Sequence, residues 1–211
     1  MADIFELFKK ISTGTDAVKG KPEYLVVGLG NPGSEYERTR HNAGFMAVDR
    51  ISERCSCSVK QSKFKALIGS TTIAGHTVLL MKPQTYMNLS GEAVKECASF
   101  YQIPAENIIV ISDDICQDVG RMRIRKSGSA GGQKGLANII THIGTDAVPR
   151  IRLGVGKKPT PEYDLSSWVL SRFSDEDMKL IIPRLDDTFE SVKLIIEGKL
   201  EEAMGKFNGK K

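Results

Sequence analysis

An α/β fold, as a single domain with a twisted mixed central β-sheet flanked by helices, follows from three observations. Short apolar runs rich in strand-forming residues alternate with segments whose apolar residues recur at helical spacing. The turn Ala74-Gly75-His76 separates two strand-like runs and so predicts a hairpin, which makes the sheet mixed. A length of 211 residues with 40% apolar content suits one hydrophobic core.

Taken in order, the predicted strands are Tyr24 to Leu29, Phe64 to Ser70, Thr77 to Lys82, Asn107 to Ser112, Arg121 to Arg125 and Arg150 to Val155, for a sheet of roughly six or seven strands. Phe45, Val48 and Ile51 mark a first helix. Ala93, Val94, Cys97, Phe100 and Tyr101 mark a second, with Ser90 as its expected cap. Leu136, Ile139, Ile140 and Ile143 mark a third. A long C-terminal helix opens at Ser174 with Asp177 three residues on, carries an apolar stripe from Met178 to Ile196, and contains Pro183 as a potential kink. Residues 22–211 form the domain in this reading. Residues 1–21, with Ser12, Thr13, Gly14, Thr15 and Gly20, read as an N-terminal extension: a short amphipathic helix on a flexible tether.

Composition removes several classes of function. The longest apolar stretches, such as Tyr24 to Leu29, fall far short of the roughly 20 residues that span a bilayer, so no membrane partner is expected. Asp3 and Glu6 interrupt the N-terminus where a secretory signal would be basic and then apolar, which predicts a cytoplasmic protein. Four cysteines, Cys55, Cys57, Cys97 and Cys116, lack zinc-ligand spacing and read as reduced structural thiols. The net charge of +4 is modest but uneven: no acid lies between Asp118 and Asp146, where Arg121, Arg123, Arg125, Lys126 and Lys134 fall. That excess suits a polyanion.

The first strand runs into Gly28-Leu29-Gly30-Asn31-Pro32-Gly33, which spells the G-x-G-x-x-G of dinucleotide-binding proteins. Pro32-Gly33 makes a turn instead of a helix start, and no acid ends a second strand about 20 residues on, so a nucleotide cofactor is rejected. Asn31 instead stands at the carboxyl end of a strand, where functional groups collect in open α/β sheets. His41, in Thr39-Arg40-His41-Asn42, sits at a loop-to-helix junction among polar residues, unlike His76 in a turn or His142 within a helix. Tyr86-Met87-Asn88 follows a further strand, and Asp113-Asp114 ends another. If these strands are neighbours, Asn31, Asn88 and Asp113 crown one sheet edge around His41, and a carboxylate behind an imidazole makes a general base for water. Ser127 to Gly135 is a glycine-rich loop opening the third helix, suited to an anion, but without the Ser or Thr that follows the Lys of a Walker loop.

In order and spacing from Tyr24 to Phe173, Gly30-Asn31-Pro32-Gly33, Tyr36, Thr39-Arg40-His41-Asn42 with Gly44, Met87-Asn88-Leu89-Ser90-Gly91, Asp113 and the glycine loop resemble the bacterial-type peptidyl-tRNA hydrolases. The resemblance implies a monomeric esterase without metal or cofactor that cleaves the ester between peptide and terminal ribose of peptidyl-tRNA. It implies His41 as general base, Asp113 as its orienting carboxylate, and Asn31 as the group that holds the peptide and distinguishes blocked from free aminoacyl groups. Tyr36, Tyr86 and Asn88 would line the site, with Met87 beside them; Arg125 and Arg152 would grip tRNA phosphate. Where the family's glycine loop continues Gly-Gly-His-Asn-Gly, this chain has Gly131-Gly132-Gln133-Lys134-Gly135, so Lys134 is expected to bind substrate as a donor. Asp114 replaces a usual Glu. The rival is an RNA-binding protein of the same fold without hydrolysis, against which the set Asn31, His41, Asn88 and Asp113 speaks, since a scaffold has no need of it.

Overall fold

The structure, a computed structural model, describes residues 20–209. All of the expected N-terminal extension except Gly20 and Lys21 lies outside the described residues.

A seven-stranded mixed sheet runs through the domain in the order β2-β3-β4-β1-β5-β7-β6. The strands are β1 (Tyr24–Gly28), β2 (Gln61–Lys63), β3 (Ala66–Ile73), β4 (His76–Pro83), β5 (Ile108–Asp114), β6 (Met122–Arg125) and β7 (Arg150–Gly154). The helices are α1 (Ala43–Arg54), α2 (Ser90–Tyr101), α3 (Lys134–Ile143), α4 (Leu165–Val169), α5 (Asp175–Ile196) and α6 (Leu200–Phe207). Strands β4, β1, β5 and β7 are mutually parallel, while β2, β3 and β6 join antiparallel at the two sides. Central β1 and β5 are buried on both faces, which is why both read as continuous apolar runs.

Period-two alternation divides the core. Val26, Ile109, Ile111, Ile124, Ile151 and Leu153 face α1, α5 and α6; Leu25, Val27, Ile108 and Val110 face α2 and α3. The predicted hairpin forms at Ala74-Gly75, where Ile73 pairs with His76. The predicted strand from Phe64 begins too early. Phe64 and Lys65, at φ 54° and 52°, make a two-residue turn between β2 and β3, because Phe64 is held by aromatic contacts to Phe100 and Tyr101. Ser90 is not a cap: it is the first residue of α2, and its hydroxyl donates to the Met87 carbonyl at 2.9 Å. Ser174 and Asp177 do form a capping box, and α5 passes through Pro183 without ending. Two short helices, α4 and α6, are additional to the predicted set.

Candidate active site

Parallel β4, β1, β5 and β7 bring their carboxyl ends to one edge of the sheet, so Asn31, Tyr86 to Asn88 and Asp113 converge there from three separate strands. The edge opens into a cleft of ≈ 650 Å³ whose far wall is the glycine loop and whose apolar side is Leu165, Val169 and Leu170 of α4 and its end.

His41 reaches this edge because α1 approaches β1 through two glycines. A Cβ on Gly28 would stand 2.2 Å from the Gly44 carbonyl oxygen, and one on Gly44 would stand 2.4 Å from that of Ile111, so neither position tolerates a side chain. Both sequence neighbours of His41 are then tied down. Arg40, buried, donates to Val155 O and Asp177 Oδ2 at 2.7 Å each, and stacks 3.9 Å from the Trp168 ring centroid. Asn42, also buried, bonds the main chain of Asn31. Between these anchors His41 Nδ1 lies 3.1 Å from Asp113 Oδ1, with side-chain exposures of 14% and 4%. With Nδ1–H donating to the carboxylate, the Nε2 lone pair is the free, basic end of the ring.

Asn31 is buried, and its Oδ1 accepts the Met87 amide at 2.9 Å. Its Nδ2 has no partner among the described residues, so the carboxamide offers the cleft an unengaged donor. Met87 is buried beside it, whereas Asn88 and Tyr86 are exposed. The adjacent acids of β5 diverge by strand alternation. Asp113 meets His41; Asp114 accepts the Cys116 amide and Gln117 Nε2, and pairs with Arg152 at 3.2 Å.

The glycine loop is held by two arginines, Arg150 from behind and Arg152 from within the cleft. Buried Arg150, whose guanidinium is pulled below the usual arginine range by desolvation, donates to the carbonyls of Gly128, Ser129, Val148 and Asp146. Arg152 lies 3.5 Å from the Gly131 carbonyl. In a planar trans peptide the next N–H points opposite its carbonyl, so the amides of Ser129, Ala130 and Gly132 are turned away from these arginines. None of the three has an acceptor among the described residues, and successive free amides make a concavity for anions. The loop ends at Gln133, whose Oε1 accepts the Leu136 amide at 2.7 Å and caps α3. Lys134, exposed, follows on the cleft wall.

Of the residues singled out from sequence, Asn31, His41, Tyr86, Asn88, Asp113, Lys134 and Arg152 all line this cleft. Tyr36 and Arg125 do not: Tyr36 stands in a single 3₁₀ turn after Gly33, and Arg125 is exposed on β6. Arg125 still shares the sheet face of Arg123, Arg150 and Arg152, by alternation and the β6–β7 register. Arg40, Asn42, Arg150 and Gln133 stood in the sequence motifs and strands without a role, and the α4 wall was not foreseen. No group of three or more His, Cys, Asp or Glu among the described residues is arranged to hold a metal ion. All four cysteines are free, and burial pushes the Cys97 thiol up to about 12, which disqualifies it as a nucleophile.

A family model described as peptidyl-tRNA hydrolase matches residues 25–211. Peptidyl-tRNA hydrolase of Clostridium novyi is 52% identical over 186 residues, covering 88% of this chain and 98% of that protein. The same-named protein of Thermoanaerobacter pseudethanolicus is 47% identical over 186 residues, covering 88% of this chain and 100% of that one. Among solved structures, peptidyl-tRNA hydrolase from Acinetobacter baumannii superposes with a TM-score of 0.84 at 38% identity, over 89% of this chain and 95% of that one.

Proposed function

This chain belongs to the peptidyl-tRNA hydrolase family and hydrolyses the ester of peptidyl-tRNA, and we propose that His41 is the general base of that reaction and Asp113 its orienting carboxylate. The observation that carries the assignment is the 3.1 Å pair between His41 Nδ1 and Asp113 Oδ1 at the floor of the cleft, which leaves Nε2 free to take a proton from water. The resulting hydroxide adds to the ester carbonyl carbon. Collapse breaks the bond to the terminal ribose oxygen, which takes the proton back from His41, giving free tRNA and a peptide carboxylic acid.

Asn31 holds the peptide through its one free donor, Nδ2, while Tyr86 and Asn88 flank the ester. The free amides of the glycine loop, with Lys134, Arg152 and Arg125, receive tRNA phosphates. The reaction belongs to the cytoplasm, where translation supplies its substrate. No helix among the described residues is long and apolar enough to cross a membrane. Incubation with N-acetylated and with unblocked aminoacyl-tRNA, following free tRNA, tests this reading: release from the first and not the second is expected, and equal release from both would overturn the role of Asn31.

A further inference from the structure

We propose that Gln133 is a positioning residue for hydrolysis, which holds the Asp113 carboxylate in register with His41 from the side opposite α1. The inference rests on the assignment of His41 and Asp113 as base and carboxylate.

Gln133 is only 6% exposed, and all of its side-chain polar atoms are engaged. Nε2 donates to Asp113 Oδ1 at 3.0 Å and lies 3.2 Å from Met87 Sδ, while Oε1 accepts from Leu136 N at 2.7 Å. Chemistry decides which end of the amide is which. The reverse orientation would set a carbonyl oxygen against the Asp113 carboxylate and an NH₂ against the Leu136 N–H, repulsive at both ends. The donor toward Asp113 is therefore a consequence of the cap on α3, and the helix and the catalytic pair are coupled through one side chain.

Among the described residues Asp113 has two donors, His41 Nδ1 and Gln133 Nε2, and both meet the same oxygen, Oδ1. They come from opposite faces of the sheet edge, one preceding α1 and the other preceding α3, so together they fix the carboxylate's rotation. Gln133 also shares the charge on Oδ1, which moderates its hold on the imidazolium formed during turnover. The other charged groups near this carboxylate are Asp114 beside it on β5, Arg152 on β7, paired with Asp114, and Lys134 at the start of α3. Unlike these, the Gln133 carboxamide is neutral and donates to Asp113 directly.

Two variants separate this role from helix capping. Gln133→Ser leaves a hydroxyl suited to an N-cap but too short to reach Asp113. It should melt like the wild type and keep its KM. Its kcat should fall about 10-fold, the size of one hydrogen bond to a charged group. The acid limb of its pH–rate profile should move to higher pH, because the full charge of Oδ1 then falls on the imidazolium. Gln133→Glu keeps the acceptor for Leu136 but sets a like charge against Asp113, and should lower kcat further near neutrality. A folded Gln133→Ser or Gln133→Glu protein with wild-type kcat and pH profile would overturn the role of Gln133. His41→Ala assayed beside them distinguishes the two levels: its full activity would instead remove the base assignment on which the role depends.

Discussion

Asn42 grips the main chain of Asn31 at both ends: its Oδ1 accepts the Asn31 amide and its Nδ2 donates to the Asn31 carbonyl, each at 2.9 Å. Both residues are buried, so the two-point contact fixes a loop that would otherwise be free to swing at the end of β1. Asn42→Asp keeps the acceptor but turns the donor into a second acceptor facing a buried carbonyl. Leaving that carbonyl unpaired should cost about 1–3 kcal/mol in denaturant unfolding, with kcat/KM falling as Asn31 loses its place. Unchanged stability would mean that the loop is held by other contacts.

Asn31 in turn owes its polarity in the cleft to Met87, whose amide occupies Oδ1 and leaves Nδ2 as the free group. A donor there suits a peptide carbonyl and rejects an ammonium. Asn31→Asp should accept the Met87 amide equally well while presenting a negative acceptor to the substrate. Its kcat/KM for N-acetylated aminoacyl-tRNA should drop roughly 10- to 100-fold, and its discrimination against unblocked aminoacyl-tRNA should shrink. Competition between the two substrates in one assay reads the ratio directly.

For the proposed catalytic pair, His41→Ala should fold normally and lose about 10²- to 10⁴-fold in kcat, the usual contribution of a general base. Asp113→Asn should also be slow, because a carboxamide can donate to Nδ1, which favours the tautomer with its proton on Nε2 and so removes the lone pair from the cleft. Single-turnover rates on a blocked tRNA check both, and near-normal turnover in folded His41→Ala would eliminate the assignment.

Much of this site was legible because its parts sit at strand ends. Asn31, Asn88 and Asp113 each follow or close a run that announces itself as a strand, and parallel order brings such ends together. His41 stood out from His76 and His142 by its junction position. The remainder depends on contacts between segments far apart in the chain. Gln133 meets Asp113 across 20 residues of sequence, and Arg40 meets Asp177 across 137, with no local pattern to announce either. Phe64-Lys65 takes up a turn that ordinarily calls for Asn-Gly, since aromatic packing against α2 outweighs the backbone preference. Arg150 reads as one more basic strand residue, yet its charge is spent inward on four carbonyls.

A charged seam joins the two helices on the His41 side of the sheet. Arg50 of α1 chelates Asp186 of α5 at 2.8 and 3.1 Å, with Arg54 adding a third contact at 3.2 Å. The Arg50 hydrogen bonds hold the Asp186 carboxyl below its ordinary range, against a smaller opposing effect of burial. A carboxylate depressed on folding adds stability that is present above its unfolded value and disappears as pH falls through its folded one. Asp186→Asn should therefore be less stable than the wild type at neutral pH and converge with it in acid. Parallel urea titrations across the carboxylate range measure the gap, and a gap that widens in acid would contradict the linkage.

Lys134 begins α3 on the cleft wall, exposed and without a partner among the described residues, where the resembling family carries Asn. An ammonium donates but cannot accept, so it cannot orient a water through an acceptor as a carboxamide would. Beside a helix N-terminus and the free amides of the glycine loop it can add to an anion site on a flexible stem. Lys134→Ala should raise KM for peptidyl-tRNA about 10-fold with little change in kcat, the loss expected for one charge-assisted contact. If the lost contact is to a phosphate, the slope of log affinity against log salt should also flatten by roughly 0.7, the value for one phosphate on a single strand. Lys134→Asn should keep kcat, because Asn can donate to the same oxygen, but should share the flattened salt slope, because it carries no charge. A Lys134→Ala protein whose kcat falls while its KM and salt slope stay put would reassign the ammonium from tRNA binding to the charge that develops on the ester oxygen.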